Sequence, residues 1–171
     1  MKSISALGLA ITLFAFPALA APSADEVLSK AKAQASAEHK AIFVHFGASW
    51  CVWCRRLDAF LDRADIRPVF EKYFIPIKLV VQEKEAKKAL ENVGSDTVFK
   101  KLGGPDGLPY SAFLDANGAL IVNSKRDGHN IGYPAQPEEI DWFVKMMRKA
   151  SPDMPDSDLK IIEEALRNAK K

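Results

Sequence analysis

The chain has 171 residues, with 24 Lys and Arg against 22 Asp and Glu and a formal net charge of +2 at pH 7. That length favours a single domain large enough to bury its own core. A near-neutral, mixed-sign composition gives no reason to expect nucleic acid as a partner.

In chain order, residues 1–20 read as a secretory signal. Lys2 supplies a basic start, an apolar run extends from Ile4 to Phe16, Pro17 breaks it, and Ala18-Leu19-Ala20 offers a small-x-small cleavage site. The run is shorter than the about 20 residues that span a bilayer, so cleavage is expected, an uncleaved anchor being the alternative. Residues 21–171 then form the expected domain. Ser23-Ala24-Asp25-Glu26 is a capping box, followed by Val27, Leu28, Ala31 and Ala35 at helical spacing, which predicts a helix over 23–38. The apolar run 41–46, ended by Gly47, predicts a buried strand interrupted only by His45.

Residues 49–63 read as a loop and a helix with Leu57, Phe60 and Leu61 on one face. A short helix opens at Pro68, and 75–81 is a second strand. The charged stretch 82–101 has a helical pattern interrupted near Gly94-Ser95. Strands at 110–115 and 119–122 are joined by Asn117-Gly118, a tight-hairpin signal. A polar loop spans 124–137, and 138–150 is an amphipathic helix. After a proline-containing linker, a last helix over 157–169 carries Leu159, Ile162 and Leu166 in a stripe expected to pack on the domain. This order implies an α/β fold, a mixed sheet with helices on both faces.

The two cysteines, Cys51 and Cys54, sit three apart just after a predicted strand and open a predicted helix. On a first helical turn they can reach each other, and the helix terminus favours an anion at the first. A thiolate there is the reactive form, with Arg55 and Arg56 adding positive charge nearby. Cys51 is therefore expected to attack a partner disulfide and Cys54 to resolve the mixed disulfide. Three other readings stay open. The pair could be an inert structural bridge, or part of a non-catalytic binding module. It could also be half of a dithiol metal site, for which only the scattered His39, His45 and His129 could add ligands.

The segment Phe43 to Leu57 (FVHFGASWCVWCRRL) resembles the active-site strand, loop and helix of the thioredoxin superfamily. Gly107-Leu108-Pro109-Tyr110 resembles that family's second signature, and the 115–118 hairpin follows it as in the family. The resemblance covers about residues 24 to 150, with the last helix as an addition, and is greatest to exported bacterial disulfide-exchange proteins. It implies a thioredoxin-like three-layer sandwich in the periplasm, catalysing protein thiol–disulfide exchange through a redox-active Cys51–Cys54 disulfide.

By the same resemblance Trp50 is the aromatic flanking the pair, and Pro109 a cis-proline beside which a substrate strand pairs. No bound cofactor or metal is implied. The implied partners are protein thiols and disulfides, with a membrane-embedded thiol reductase as a candidate electron partner and a monomer as the expected state. Isomerase action is not expected, since no separate dimerisation domain is recognised.

Three positions stand out, two of them departures from the family. His45 occupies the position of the family's buried aspartate, and either assists proton transfer or is a neutral strand histidine. Lys78 aligns with a lysine beside that aspartate, and solvation at a strand edge is expected of it. Val52-Trp53 between the cysteines lacks the histidine of strong oxidants, which points to a potential on the reducing side. Trp53 is read either as an apolar contact for partner proteins or as packing on the core.

Overall fold

The computed structural model describes residues 21–104 and 107–169. The expected signal at residues 1–20 therefore lies outside the described residues. Helix α1 (Ala24–Glu38) begins at the anticipated box: the Ser23 hydroxyl accepts from the Glu26 amide at 3.2 Å, and Glu26 accepts from the Ser23 amide at 2.7 Å. Strand β1 (Ala41–Gly47) is buried along its whole length. Helices α2 (Val52–Leu61) and α3 (Arg67–Glu71) precede strand β2 (Phe74–Val80).

The charged stretch after β2 is one short 3₁₀ helix (Glu85–Leu90) followed by α4 (Ser95–Lys101). Gly94, between them, is left-handed at φ 86°. Strands β3 (Tyr110–Leu114) and β4 (Leu120–Asn123) form the hairpin, whose Asp115 carboxylate accepts from the amides of Asn117 and Ala119. The polar loop that follows contains a small second hairpin, β5 (Lys125–Arg126) with β6 (His129–Asn130). Helices α5 (Pro137–Ala150) and α6 (Asp156–Arg167) complete the described chain.

The main sheet has the order β2-β1-β3-β4, with β1 parallel to β2 and antiparallel to β3. Pro76 has no N–H to give a ladder, and it sits on an edge strand, where that is tolerated. Side chains alternate across β1. Ile42, Val44 and Phe46 pack with α1 and α4, while Phe43 packs with α2, α3, α5 and α6. The result is three layers with a mixed sheet between helices. Helix α6 buries Leu159, Ile162 and Leu166 in the second of these cores, and Tyr73 donates to Asp158 at 2.6 Å.

One end of this architecture matters for the site. Strand β1 delivers the chain into α2 at one end of the sheet. The odd-numbered face of β1 places His45 and then Gly47 under the start of that helix.

Candidate active site

Cys51 is the N-cap of α2, and Cys51 and Cys54 form a disulfide with an S–S distance of 2.09 Å. The Cys51 sulfur also accepts from the Cys54 amide at 3.0 Å, satisfying one of the donors that a helix start leaves unpaired. Cys54 is fully buried and Cys51 is 4% exposed. Of the two, only Cys51 has any exposed surface. A helix start carries partial positive charge, which favours a thiolate at Cys51 once the bond is reduced.

The loop between β1 and α2 is clamped from β2 and the residues after it. The Val81 amide donates to the Gly47 carbonyl at 3.0 Å. The Trp50 indole donates to the Gln82 carbonyl at 2.7 Å, and Gln82 adopts a left-handed φ of 56° there. The buried Glu83 carboxylate accepts from the Ser49 amide at 2.5 Å and from its hydroxyl at 2.8 Å. None of these residues beyond Trp50 was marked by the sequence, because each acts through a contact more than thirty residues away.

On the face of β1 that Gly47 turns toward Cys54 lies a three-residue polar group. His45 is 5% exposed, and its Nε2 lies 2.8 Å from Asp58 Oδ1; Lys78 Nζ donates to Asp58 Oδ2 at 2.6 Å. Burial works against ionisation of Asp58. The hydrogen bonds from His45 and Lys78, with their charges, outweigh it and hold the carboxyl below its ordinary value. Lys78 is therefore not simply a solvated strand-edge lysine. Its partner Asp58 was invisible in the sequence, while the lysine stays exposed on the edge strand, as expected.

His45 Nδ1 is buried and has no hydrogen-bond partner. With Nε2 facing Asp58, Nδ1 is the ring nitrogen left without a hydrogen bond. Gly47 shares the His45 face of β1. A Cβ at Gly47 would stand 3.2 Å from the Cys54 sulfur and 3.7 Å from Lys78 Cε, so glycine lets the helix seat the sulfur against the strand.

The Leu108–Pro109 peptide bond is cis, as the family resemblance implied, and Leu108 packs against Ala48, Cys51 and Cys54. Asn130 braces this turn: its amide donates to the Pro109 carbonyl at 2.9 Å, while its own Oδ1 accepts from Ser124 Oγ at 2.8 Å. The loop after β6 thus belongs to the active face and is more than a connection. Trp53 does not pack into the core. It is 45% exposed, stacked on Tyr133 at 5.9 Å, with the Arg56 guanidinium 4.5 Å from its ring centre. Trp50 is 46% exposed. Among the described residues no group of three or more His, Cys, Asp or Glu is placed to hold a metal ion, and no helix is long and apolar enough to cross a membrane.

The family model of thioredoxin-like proteins matches residues 24–116, just over half of the chain. The chain belongs to the thioredoxin-like family. Comparison with curated proteins finds no match.

Solved structures similar to this thioredoxin-like chain include a disulphide isomerase from Xylella fastidiosa Temecula1. It is 21% identical with a TM-score of 0.52, over 90% of this chain and 96% of that one. The oxidised C-terminal domain of DsbD from Neisseria meningitidis is 18% identical with a TM-score of 0.45, covering 74% of this chain and 99% of that domain. A DsbH oxidoreductase is 16% identical with a TM-score of 0.47, covering 82% of this chain and 95% of that one. At such identities the isomerase likeness is one of fold, and the fold is the thioredoxin-like sandwich described above.

Proposed function

We propose that this thioredoxin-like chain is a periplasmic protein-disulfide oxidoreductase that works by two-step thiol–disulfide exchange, on the reducing side. The observation that carries the proposal is the Cys51–Cys54 disulfide at the tip of α2, with Cys51 the less buried of the two. In the reduced protein, the Cys51 thiolate attacks a sulfur of the partner disulfide. A mixed disulfide forms and one partner thiolate leaves. Cys54 then attacks the Cys51 sulfur, releasing the second partner thiol. The partner gains two electrons, and the chain returns to the Cys51–Cys54 disulfide.

Cys54 must lose its proton before it attacks. His45 is assigned the supporting role of taking that proton on Nδ1, the ring nitrogen that Asp58 leaves free as an acceptor. Pro109, next to the Leu108 that packs on the cysteine cluster, supplies the edge beside which a substrate segment lies. Trp50 holds the loop through Gln82, and Trp53 faces the partner. Between the cysteines Trp53 adds no charge that would favour the Cys51 thiolate strongly, which supports a reducing potential. The periplasmic assignment rests on the signal pattern of residues 1–20.

Insulin reduction driven by dithiothreitol tests the activity. The protein accelerates it, Cys51→Ser abolishes the acceleration, and Cys54→Ser accumulates a covalent complex with the partner. Absence of both acceleration and trapping overturns the proposal in favour of a non-catalytic binding protein. A measured potential near the strong-oxidant value of about −120 mV would reverse the assigned direction. Appearance of the unprocessed chain in the cytoplasmic fraction would remove the compartment.

A further inference from the structure

Four hydrogen bonds tie the turn before Cys51 to one short segment, Val81 to Glu83. Two of the four go to a single side chain. One Glu83 oxygen accepts from the Ser49 amide and the other from the Ser49 hydroxyl, and among the described residues that carboxylate bonds to nothing else. Glu83 is 6% exposed, so little water reaches it to take its place. The Ser49 carbonyl is held from the other side, accepting from Arg55 at 2.8 Å. Ser49, two residues before Cys51, is thus gripped at its amide, its hydroxyl and its carbonyl.

The segment that holds it is itself braced. The Glu83 amide donates to Glu91 Oε1 at 2.7 Å, and Lys88 donates to the same oxygen at 3.0 Å. Asn92 Oδ1 accepts from the Val80 amide at 2.7 Å, and the Asn92 side-chain amide donates to the Pro22 carbonyl at 2.8 Å. Glu83 is therefore a fixed post for Ser49.

The consequence falls on the reduced protein. While the Cys51–Cys54 bond is closed, that bond holds Cys51 at the helix tip. Once it opens, Cys51 depends on its own chain, through its amide bond to the Ala48 carbonyl at 3.1 Å and through Ser49. A turn held in its closed-bond shape keeps the two sulfurs together, and such positioning favours closure. A couple that closes readily is a reducing one.

We propose that Glu83 is a positioning residue for exchange. By holding Ser49 in the reduced protein it raises the tendency of Cys51 and Cys54 to close their bond, and so contributes to a reducing potential. The proposal rests on the exchange function above and names a residue that sets its direction.

Equilibration with dithiothreitol tests it. The Cys51–Cys54 disulfide takes two electrons and two protons and becomes the dithiol, and dithiothreitol closes to its cyclic disulfide. After acid quenching, free thiols are alkylated and the two protein forms are counted by mass. Glu83→Ala, which removes both acceptors, is expected to favour reduction at least about fivefold, a shift of about 21 mV at about 30 mV per tenfold. Glu83→Gln removes the charge but keeps an oxygen for the Ser49 amide and sets a donor against the hydroxyl oxygen. It is expected to stay within about 1.5-fold of the wild type. Ser49→Ala removes one of the two bonds and is expected to shift the equilibrium at least about twofold, which keeps the test open if Glu83→Ala does not fold. A Glu83 that only stabilises the fold lowers the unfolding midpoints of the oxidised and reduced forms alike and leaves the equilibrium with dithiothreitol unmoved; that result overturns the proposal. Equal shifts in the alanine and glutamine variants overturn it too, by tracing the effect to charge. Failure of the wild type to accelerate insulin reduction would instead remove the exchange function, while the equilibrium would still report on the hold of Glu83 over the cysteine pair.

Discussion

Replacing Asp58 by alanine removes the one carboxylate that both His45 and Lys78 address. The two partners respond differently because their side chains are 7% and 37% exposed. Lys78 turns into water, and a pair that exposed is worth about 0–1 kcal/mol. His45 cannot follow. Its Nδ1 already lacks a partner, so losing Asp58 buries a ring with no hydrogen bond at all, at about 1–3 kcal/mol for an orphaned buried donor. Asp58→Ala is therefore expected to destabilise the oxidised protein by about 2–3 kcal/mol.

A second background isolates the His45 share. His45→Phe keeps a ring beside Phe43, which His45 faces at 5.9 Å, and removes the polar atoms. In that background Asp58→Ala loses only the Lys78 contact, about 1 kcal/mol or less, so the double-mutant cycle yields a coupling of about 1.5–2 kcal/mol. Urea unfolding followed by tryptophan fluorescence reads it, with unchanged m-values required before midpoints are compared. A coupling below about 0.5 kcal/mol, the scatter between independent sites, would show that His45 and Asp58 do not depend on each other. The proton path through Nδ1 would then lose its support.

Gly47→Ala sets a methyl group 3.1 Å from the Cys54 Cβ, and overpacking of that kind costs about 1–3 kcal/mol; wild-type midpoints in both the oxidised and the reduced protein would contradict the close seating of α2 on β1. Burial pushes the Tyr110 phenol up to about 12, so the folded state favours the neutral form. Its contribution is complete below the unfolded value near about 10 and is lost as pH rises toward 12. The stability gap between the wild type and Tyr110→Phe is accordingly expected to narrow between pH 10 and 12 in urea titrations, and a gap independent of pH would refute it. Ile162→Ala in α6 is expected to lose about 2–5 kcal/mol from a fully buried site, whereas Ile161→Ala, at a 42% exposed position, changes little. Equal thermal shifts for the two would mean that α6 does not pack as described.

What the sequence made legible follows the range of the interactions involved. The capping box at Ser23, the Asn117-Gly118 hairpin and the amphipathic stripe of α5 are written in residues at most a few positions apart, and each formed where expected. Residues 82–94 carried a helical charge pattern but no apolar face able to hold a full helix on the core, and only one 3₁₀ segment formed. The β5–β6 hairpin did have a local signal, Asp127-Gly128, and both residues take the positive φ that a tight hairpin turn needs. The signal went unread because polar residues flank it, without the alternation of a half-buried strand. Asp58 is the instructive omission. On α2 alone it is one more charge covering an amphipathic helix. It becomes part of the site only when β1 and β2 set His45 opposite Lys78, a register no local pattern contains.

That register changes the electrostatics around Cys54. A lone buried carboxylate in the strand would place an uncompensated negative charge against a thiolate, and like charges at close range disfavour each other strongly in a medium of low dielectric. Here the strand position holds an imidazole. The carboxylate is one helical turn beyond Cys54 and is bonded to the Lys78 ammonium. Asp58 and Lys78 together contribute a dipole in place of a bare charge, while His45 offers Nδ1, which no hydrogen bond occupies. Under the proposed transfer of the Cys54 proton to His45, the ion pair would form beside Asp58, which holds the ring through Nε2. The substitution of histidine at residue 45 and the placement of an acid at residue 58 are thus one device. Either change made alone would leave the buried end of the disulfide with an orphaned donor or an unpaired charge.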